Sequence, residues 1–204
     1  MTTPDEILNF WFGDLEGPTD FKPEKAKLWW AGGEAIDHEI QERFGQAVLA
    51  ARAGELDAWL AEPKSALALI LLLDQFSRNL GRGTPLAFAT DAAALRACET
   101  AIERGHDQKL RPIECSFLYM PLMHAEDRTI AARSVEQFER LSERIRASCP
   151  SEHPDALSYA KQHAEIVQRF GRYPHRNAIL GRESTDQELA FLEGGGPNFG
   201  QTKA

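Results

Sequence analysis

The sequence predicts an all-α protein of about nine helices, packed as helix hairpins in layers. Three observations predict it. Helix-start punctuation recurs along the chain, apolar residues between the starts fall at three- and four-residue spacing, and no segment reads convincingly as a strand. At 204 residues such a chain suits one domain, and it can bury roughly 70% of its unfolded surface without a disulfide or metal.

Thr3-Pro4-Asp5-Glu6 is the first helix start, with an N-cap, proline at the first position and acids in the first turn; it leads into "ILNFWF", which ends at Gly13. The Gly- and Pro-rich "DLEGPTDFKPEK" is a loop. "KAKLWW" closes at Gly32-Gly33, after which Ile36, Ile40, Phe44, Ala47 and Val48 keep helical spacing up to Gly54. Glu55 to Leu60 is a short amphipathic turn carrying Trp59, and Pro63 opens the next helix.

That helix, Lys64 to about Asn79, is apolar on every side from Ala66 to Leu73, the pattern of a helix buried on all faces. Its Leu and Ala content, rather than Val and Thr, argues against a buried strand. Thr90-Asp91 starts a helix ended by Gly105, and Pro112 starts another. Asp127 to Arg146 carries Val135, Phe138 and Leu141 on one stripe, and Pro154 leads into Ala156 to Phe170. Thr185 and Glu188 form a capping box before Leu189, Phe191 and Leu192. Residues 1–193 therefore read as one helical domain, and 194–204, "GGGPNFGQTKA", as a flexible C-terminal tail that Phe199 could dock.

Composition narrows the function classes. A net charge of −8 argues against general binding to nucleic acid or an anionic membrane. The most apolar run, "SALALILLL", is too short to span a bilayer, and the N-terminus has no signal-peptide pattern, so a cytoplasmic protein is expected. Cys98, Cys115 and Cys149 are far apart, with no CxxC or Cys/His ladder. Neither zinc nor a disulfide framework is indicated, and no cofactor motif such as GxGxxG or a Walker loop occurs. Oligomeric state is not readable from the sequence.

Three clusters carry chemistry. In "LLLDQFSRNLGRG", Asp74 faces the unfavourable end of a helix dipole and has Arg78 four residues on as an ion-pair partner. The pair is either an internal brace or the mouth of a pocket. In "IECSFLYMPLMHAED", Tyr119 and His124 lie near Pro121, which removes a backbone hydrogen bond, and Glu126 and Asp127 follow as acids of the next helix or as an acid–base set. The third cluster holds His163, Gly171, Tyr173-Pro174, His175 and Asn177. Arg169, Arg172, Arg176 and Arg182 crowd into 169–182, where no acid stands. Gly171 reads as the glycine ending a helix. The arginines either answer acids elsewhere, among Asp74, Glu114 and Glu126, or hold an anion through paired donors.

Over "LDQFSRN", "FLYMPLMHAED" and "RFGRYPHRNAILGREST" the chain resembles the bacterial family called domain of unknown function 924, nearly end to end. The resemblance implies a tetratricopeptide-like, right-handed stack of antiparallel helix pairs with a concave face, and assigns no activity. Ser77 stands where that family commonly has proline, and Ala131 where it commonly has glutamine.

The expected function is binding of a small anionic ligand or peptide carboxylate in a pocket built from Asp74, Arg78, Tyr119, His124, Glu126, His163, Arg169, Arg172, His175, Arg176 and Asn177, with Tyr119 and Phe170 as apolar wall. Two alternatives stand beside it. One is a hydrolase- or lyase-type enzyme pairing His124 or His163 with Glu126, and the other is a closed polar network that only braces the helices.

Overall fold

The computed structural model describes residues 2–148 and 154–200; Cys149 lies outside the described residues. Among the described residues the regular structure is entirely helical: α1 (Pro4–Phe12), α2 (Glu34–Arg52), α3 (Pro63–Leu71), α4 (Ser77–Leu80), α5 (Asp91–Glu103), α6 (Pro112–His124), α7 (Arg128–Ser148), α8 (Ala156–Phe170) and α9 (Asp186–Glu193). No helix among them is long and apolar enough to cross a membrane.

The expected starts are built as the sequence spells them. Thr3 with Glu6, and Thr185 with Glu188, close reciprocal capping boxes. Asp127 Oδ1 accepts from the backbone N–H groups of Thr129 and Ile130 at 2.8 and 2.9 Å and so caps α7. Gly171 ends α8 in the left-handed region at φ 74°, which favours glycine. Thr90 departs from its expected role: its hydroxyl donates to the Leu73 carbonyl at 2.6 Å instead of capping α5.

α3 lies between α1, α5 and α6, and Ala66 to Leu72 are all buried, as a helix apolar on every side requires. Trp11, Phe12, Phe76 and Phe117 form the aromatic heart of this core, with ring centroids 5.4–5.5 Å apart for Trp11–Phe76, Trp11–Phe117 and Phe12–Phe117. α6, α7 and α8 pack consecutively at the other side. A second, smaller apolar cluster of Ala131, Ala164, Ile166, Val167 and Tyr173 sits where α7 and α8 meet the segment after Gly171.

The expected single helix from Lys64 to Asn79 is interrupted. A π-helical turn, Leu72–Phe76, separates α3 from α4. The widened turn is stabilised by side chains, because Ser77 Oγ donates to the Leu72 carbonyl at 3.0 Å and Thr90 Oγ1 to that of Leu73. Insertions of this kind re-aim side chains and occur frequently at functional sites. Here the turn carries Asp74.

Gly81, just past α4, allows the 3-10 turn Pro85–Ala87 to lie directly on the chain. A Cβ at Gly81 would meet the Leu86 carbonyl carbon at 2.6 Å and the Ala87 Cα at 2.7 Å. Both are backbone atoms that cannot swing aside. Gly81→Ala is expected to destabilise the fold by about 3 kcal/mol, at the upper end of the cost of overpacking, read as a fall in the urea midpoint at constant slope. An unchanged midpoint would refute the close-approach argument.

Candidate functional site

The site grows from three chain segments that end near one another: the π-turn, the C-terminus of α6, and the loop after α8. Asp74, 1% exposed, places Oδ1 at 2.8 Å from His124 Nδ1 and 3.3 Å from Arg78 Nη2. Arg78 Nη1 also donates to Asp91 Oδ1 at 2.9 Å and to the Ala87 carbonyl at 2.9 Å. Asp91 in turn accepts from Arg176 Nη1 on Oδ2 at 3.0 Å. One carboxylate thus bridges the two arginines.

The end of α6 has carbonyls without intrahelical partners. Tyr173 Oη donates to the Met123 carbonyl, and Arg176 Nη2 to that of His124 at 3.1 Å. Arg176 lies over the rings of Tyr173 and Phe88, at 4.4 and 4.6 Å from their centroids, so its charge is enclosed by aromatic faces.

A cavity of about 50 Å³ opens between these groups, lined by Arg78, Phe88, His124, His163, Tyr173, His175, Arg176 and Phe199. Three imidazoles face it with ring nitrogens that have no partner among the described residues. His163 Nδ1 lies 2.8 Å from the Tyr159 carbonyl, which can only accept. Nδ1 therefore carries the hydrogen and Nε2 offers a lone pair. By the same logic Asp74 assigns the hydrogen of His124 to Nδ1. The buried Arg176 Nε likewise has no hydrogen-bond partner, and Arg78 Nη2 has only the Asp74 ion contact.

The electrostatics match this arrangement. Burial would raise the Asp74 carboxyl, but the charge of Arg78, with His124, outweighs burial and holds it well below the usual carboxylate range. Burial, and then Arg78, lower His124, against the pull of Asp74. Burial pushes His163 down to about 3, helped by His124, and burial with Arg176 takes His175 to about 3. At neutral pH the corner holds neutral imidazoles beside two guanidinium cations.

The remaining expected residues lie elsewhere. Tyr119 donates to Asp107 Oδ2 at 2.8 Å and packs edge-on against Phe138, away from the cavity. Glu126 does not meet a histidine; both its oxygens are taken by Arg182, at 2.6 and 2.9 Å, and Oε1 also accepts from the Tyr173 backbone N–H. The expected His–Glu126 acid–base pair is therefore corrected: the carboxylate beside His124 is Asp74. Arg172 forms a two-point ion pair with buried Glu188, at 2.7 and 2.8 Å, which holds that carboxyl at about 2. Asn177 donates to Ser184 and Glu188 and accepts from Arg182. Arg169 lies over the rings of Phe170 and Phe191. Glu114 serves Lys64 and Arg111, not the arginine cluster. Of the departures from the family pattern, Ala131 packs in the small apolar cluster and does not line the cavity, and Ser77 closes the π-turn.

The apolar wall is made by Phe88, Tyr173 and Phe199, not by Tyr119 and Phe170. Asp91 was legible only as a helix-start acid, and no local pattern marks Phe88. Beyond Phe199 lies a wider groove of about 1320 Å³ that shares Arg78 and Phe199 with the cavity and is flanked by Trp30, Asp37, Gln75 and Arg82. Among the described residues, no group of three or more His, Cys, Asp or Glu is placed to hold a metal ion.

No curated protein matches the chain. A solved structure of a protein of unknown function from Agrobacterium tumefaciens is similar at 38% identity and a TM-score of 0.79, covering 94% of this chain and 97% of that one. The family model for a bacterial protein of unknown function, DUF924, matches residues 7–196. Matched by that model over residues 7–196, the chain belongs to the DUF924 family.

Proposed function

We propose that this is a cytoplasmic helical protein that binds a small anionic molecule, a carboxylate above all, in the corner between Arg78, Arg176 and the three imidazoles. The observation that carries this reading is the Arg176 guanidinium: it is 5% exposed, yet its Nε–H has no acceptor among the described residues. A buried unsatisfied donor costs roughly 1–3 kcal/mol and more on a charged group, and a bound anion is one of the things that offsets such a cost. Burial and the neighbouring Arg78 already pull Arg176 below its ordinary range, which an incoming anion would reverse.

Thermal-shift titration with acetate, citrate and phosphate tests this at neutral pH. The expected result is stabilisation of the wild type that disappears in Arg176→Ala and persists in Arg172→Ala, whose guanidinium is occupied by Glu188. Arg176→Lys keeps a charge against Asp91 but removes Nε, and serves if the alanine variant folds poorly. An unresponsive wild type, or equal responses in all variants, would overturn the reading.

A second reading rests on one distance, the 2.8 Å between Asp74 Oδ1 and His124 Nδ1. A carboxylate that fixes the tautomer of a neutral imidazole leaves Nε2 free to take a proton from a bound hydroxyl or water. Turnover of any ester, phosphoester or lactone in a panel, abolished by His124→Gln, would support it. A panel with no turnover leaves the binding reading alone.

A further inference from the structure

We propose that the anion carries an aromatic ring on a short arm, an arylalkyl carboxylate, and that the chain's own Phe199 holds the ring's place until such a ligand displaces it. This rests on the anion-binding reading above and names its ligand class.

Phe199 is the only non-glycine among the described residues with a positive φ, 50°. An aromatic residue in the left-handed region is locally unfavourable, so tertiary contacts hold it there. Its ring stacks on His163 at a centroid distance of 3.9 Å and 26°, and stands edge-on to His175 at 5.3 Å and to Tyr173 at 6.2 Å. The adjoining Gly200 carbonyl accepts from Arg82 Nη1 at 2.8 Å. Three rings thus form an aryl slot, and the imidazoles among them are neutral, which favours stacking of a ring over hydration of a cation.

Phe199 also belongs to two spaces. It lines both the small cavity and the wide groove. The cavity of about 50 Å³ is several times the roughly 10–15 Å³ that one water needs on that measure, room for a carboxylate but not for a bulky phosphorylated metabolite. Arg78 and Arg176 line it and give it positive charge. A ligand whose ring takes the Phe199 position would place its carboxylate against them, and the groove offers its way in. A free aromatic acid and the C-terminal phenylalanine of a peptide share this chemistry.

Calorimetric titration of the full chain, as wild type and Phe199→Ala, with acetate, 3-cyclohexylpropionate, 3-phenylpropionate and the tripeptide Gly-Gly-Phe tests it. The expected result is that 3-phenylpropionate binds wild type about tenfold more tightly than acetate or the cyclohexyl acid, and that Phe199→Ala tightens it by about another tenfold, as a self-competing occupant is removed. Hydrogen exchange of the wild type adds a measurement free of folding concerns: ligand should speed exchange of the 195–200 amides. Tighter binding of Gly-Gly-Phe than of 3-phenylpropionate would assign the peptide source, and the reverse the free acid. Acetate binding as tightly as 3-phenylpropionate, or ligand protecting 195–200, would overturn the aryl inference while leaving anion binding intact. No binding of any carboxylate to either protein would overturn both.

Discussion

Asp74→Ala is expected to lower the unfolding free energy by about 3 kcal/mol, the low end of the cost of removing one partner from a buried ion pair. The substitution takes the only carboxylate from His124 Nδ1 and one of two from Arg78, in a place where water has little access. Asp91 still faces Arg78, which is why the low end applies. Asp74→Asn retains a hydrogen-bonding side chain without the charge and should cost less than the alanine variant. Urea unfolding at neutral pH reads both. A loss below about 1 kcal/mol for Asp74→Ala, the range of exposed ion pairs, would mean that Asp91 alone suffices and that the π-turn carboxylate is not a keystone of the corner.

Acid should weaken the fold well above the pH at which its carboxylates protonate. The folded His163 imidazole titrates at about 3 because of burial and the neighbouring His124, whereas an unfolded histidine titrates near 6.5. Between those values the unfolded chain binds a proton that the folded chain refuses, so stability rises with pH across that window and is level above it. The slope from His163 is about 1.4 kcal/mol per pH unit, and His175 acts in the same direction. Asp74, Glu126 and Glu188 are held below their ordinary values, so their share is lost only at lower pH, once the unfolded carboxylates protonate. Unfolding free energy measured from about pH 7 to 5 isolates the histidines. His163→Phe, which retains a ring beneath Phe199, should flatten that limb by nearly one proton. Parallel limbs in the two proteins would show that His163 is protonated in the folded state.

Legibility followed the range of the interaction that decides each feature. The starts at Thr3, Pro63, Pro112 and Thr185 and the stop at Gly171 are local, set within a few residues, and they stand where the sequence places them. The all-round apolar pattern of Ala66 to Leu73 correctly marks the buried central helix. The π-turn at Leu72–Phe76 was not legible, since it depends on hydroxyls of Ser77 and Thr90 reaching freed carbonyls, the second from another helix start. The site shows the same division. Asp74, Arg78, His124, His163, His175 and Arg176 were recognisable as unusual, but Arg172 with Glu188 and Glu126 with Arg182 are ion pairs whose partners no spacing rule selects.

From the sequence alone came the helical class, the order of the helices and the stretch in which four arginines gather, because capping, periodicity and charge density are local properties of a chain. Which arginines are spent on acids and which one keeps an unmatched N–H was decided only by tertiary structure. So was the closing of the corner by Phe199, a residue that composition alone assigns to a loose tail. Ion pairing and ring stacking between distant segments depend on distances of a few ångström, and those exist only once α6, α8 and the C-terminal residues have packed together.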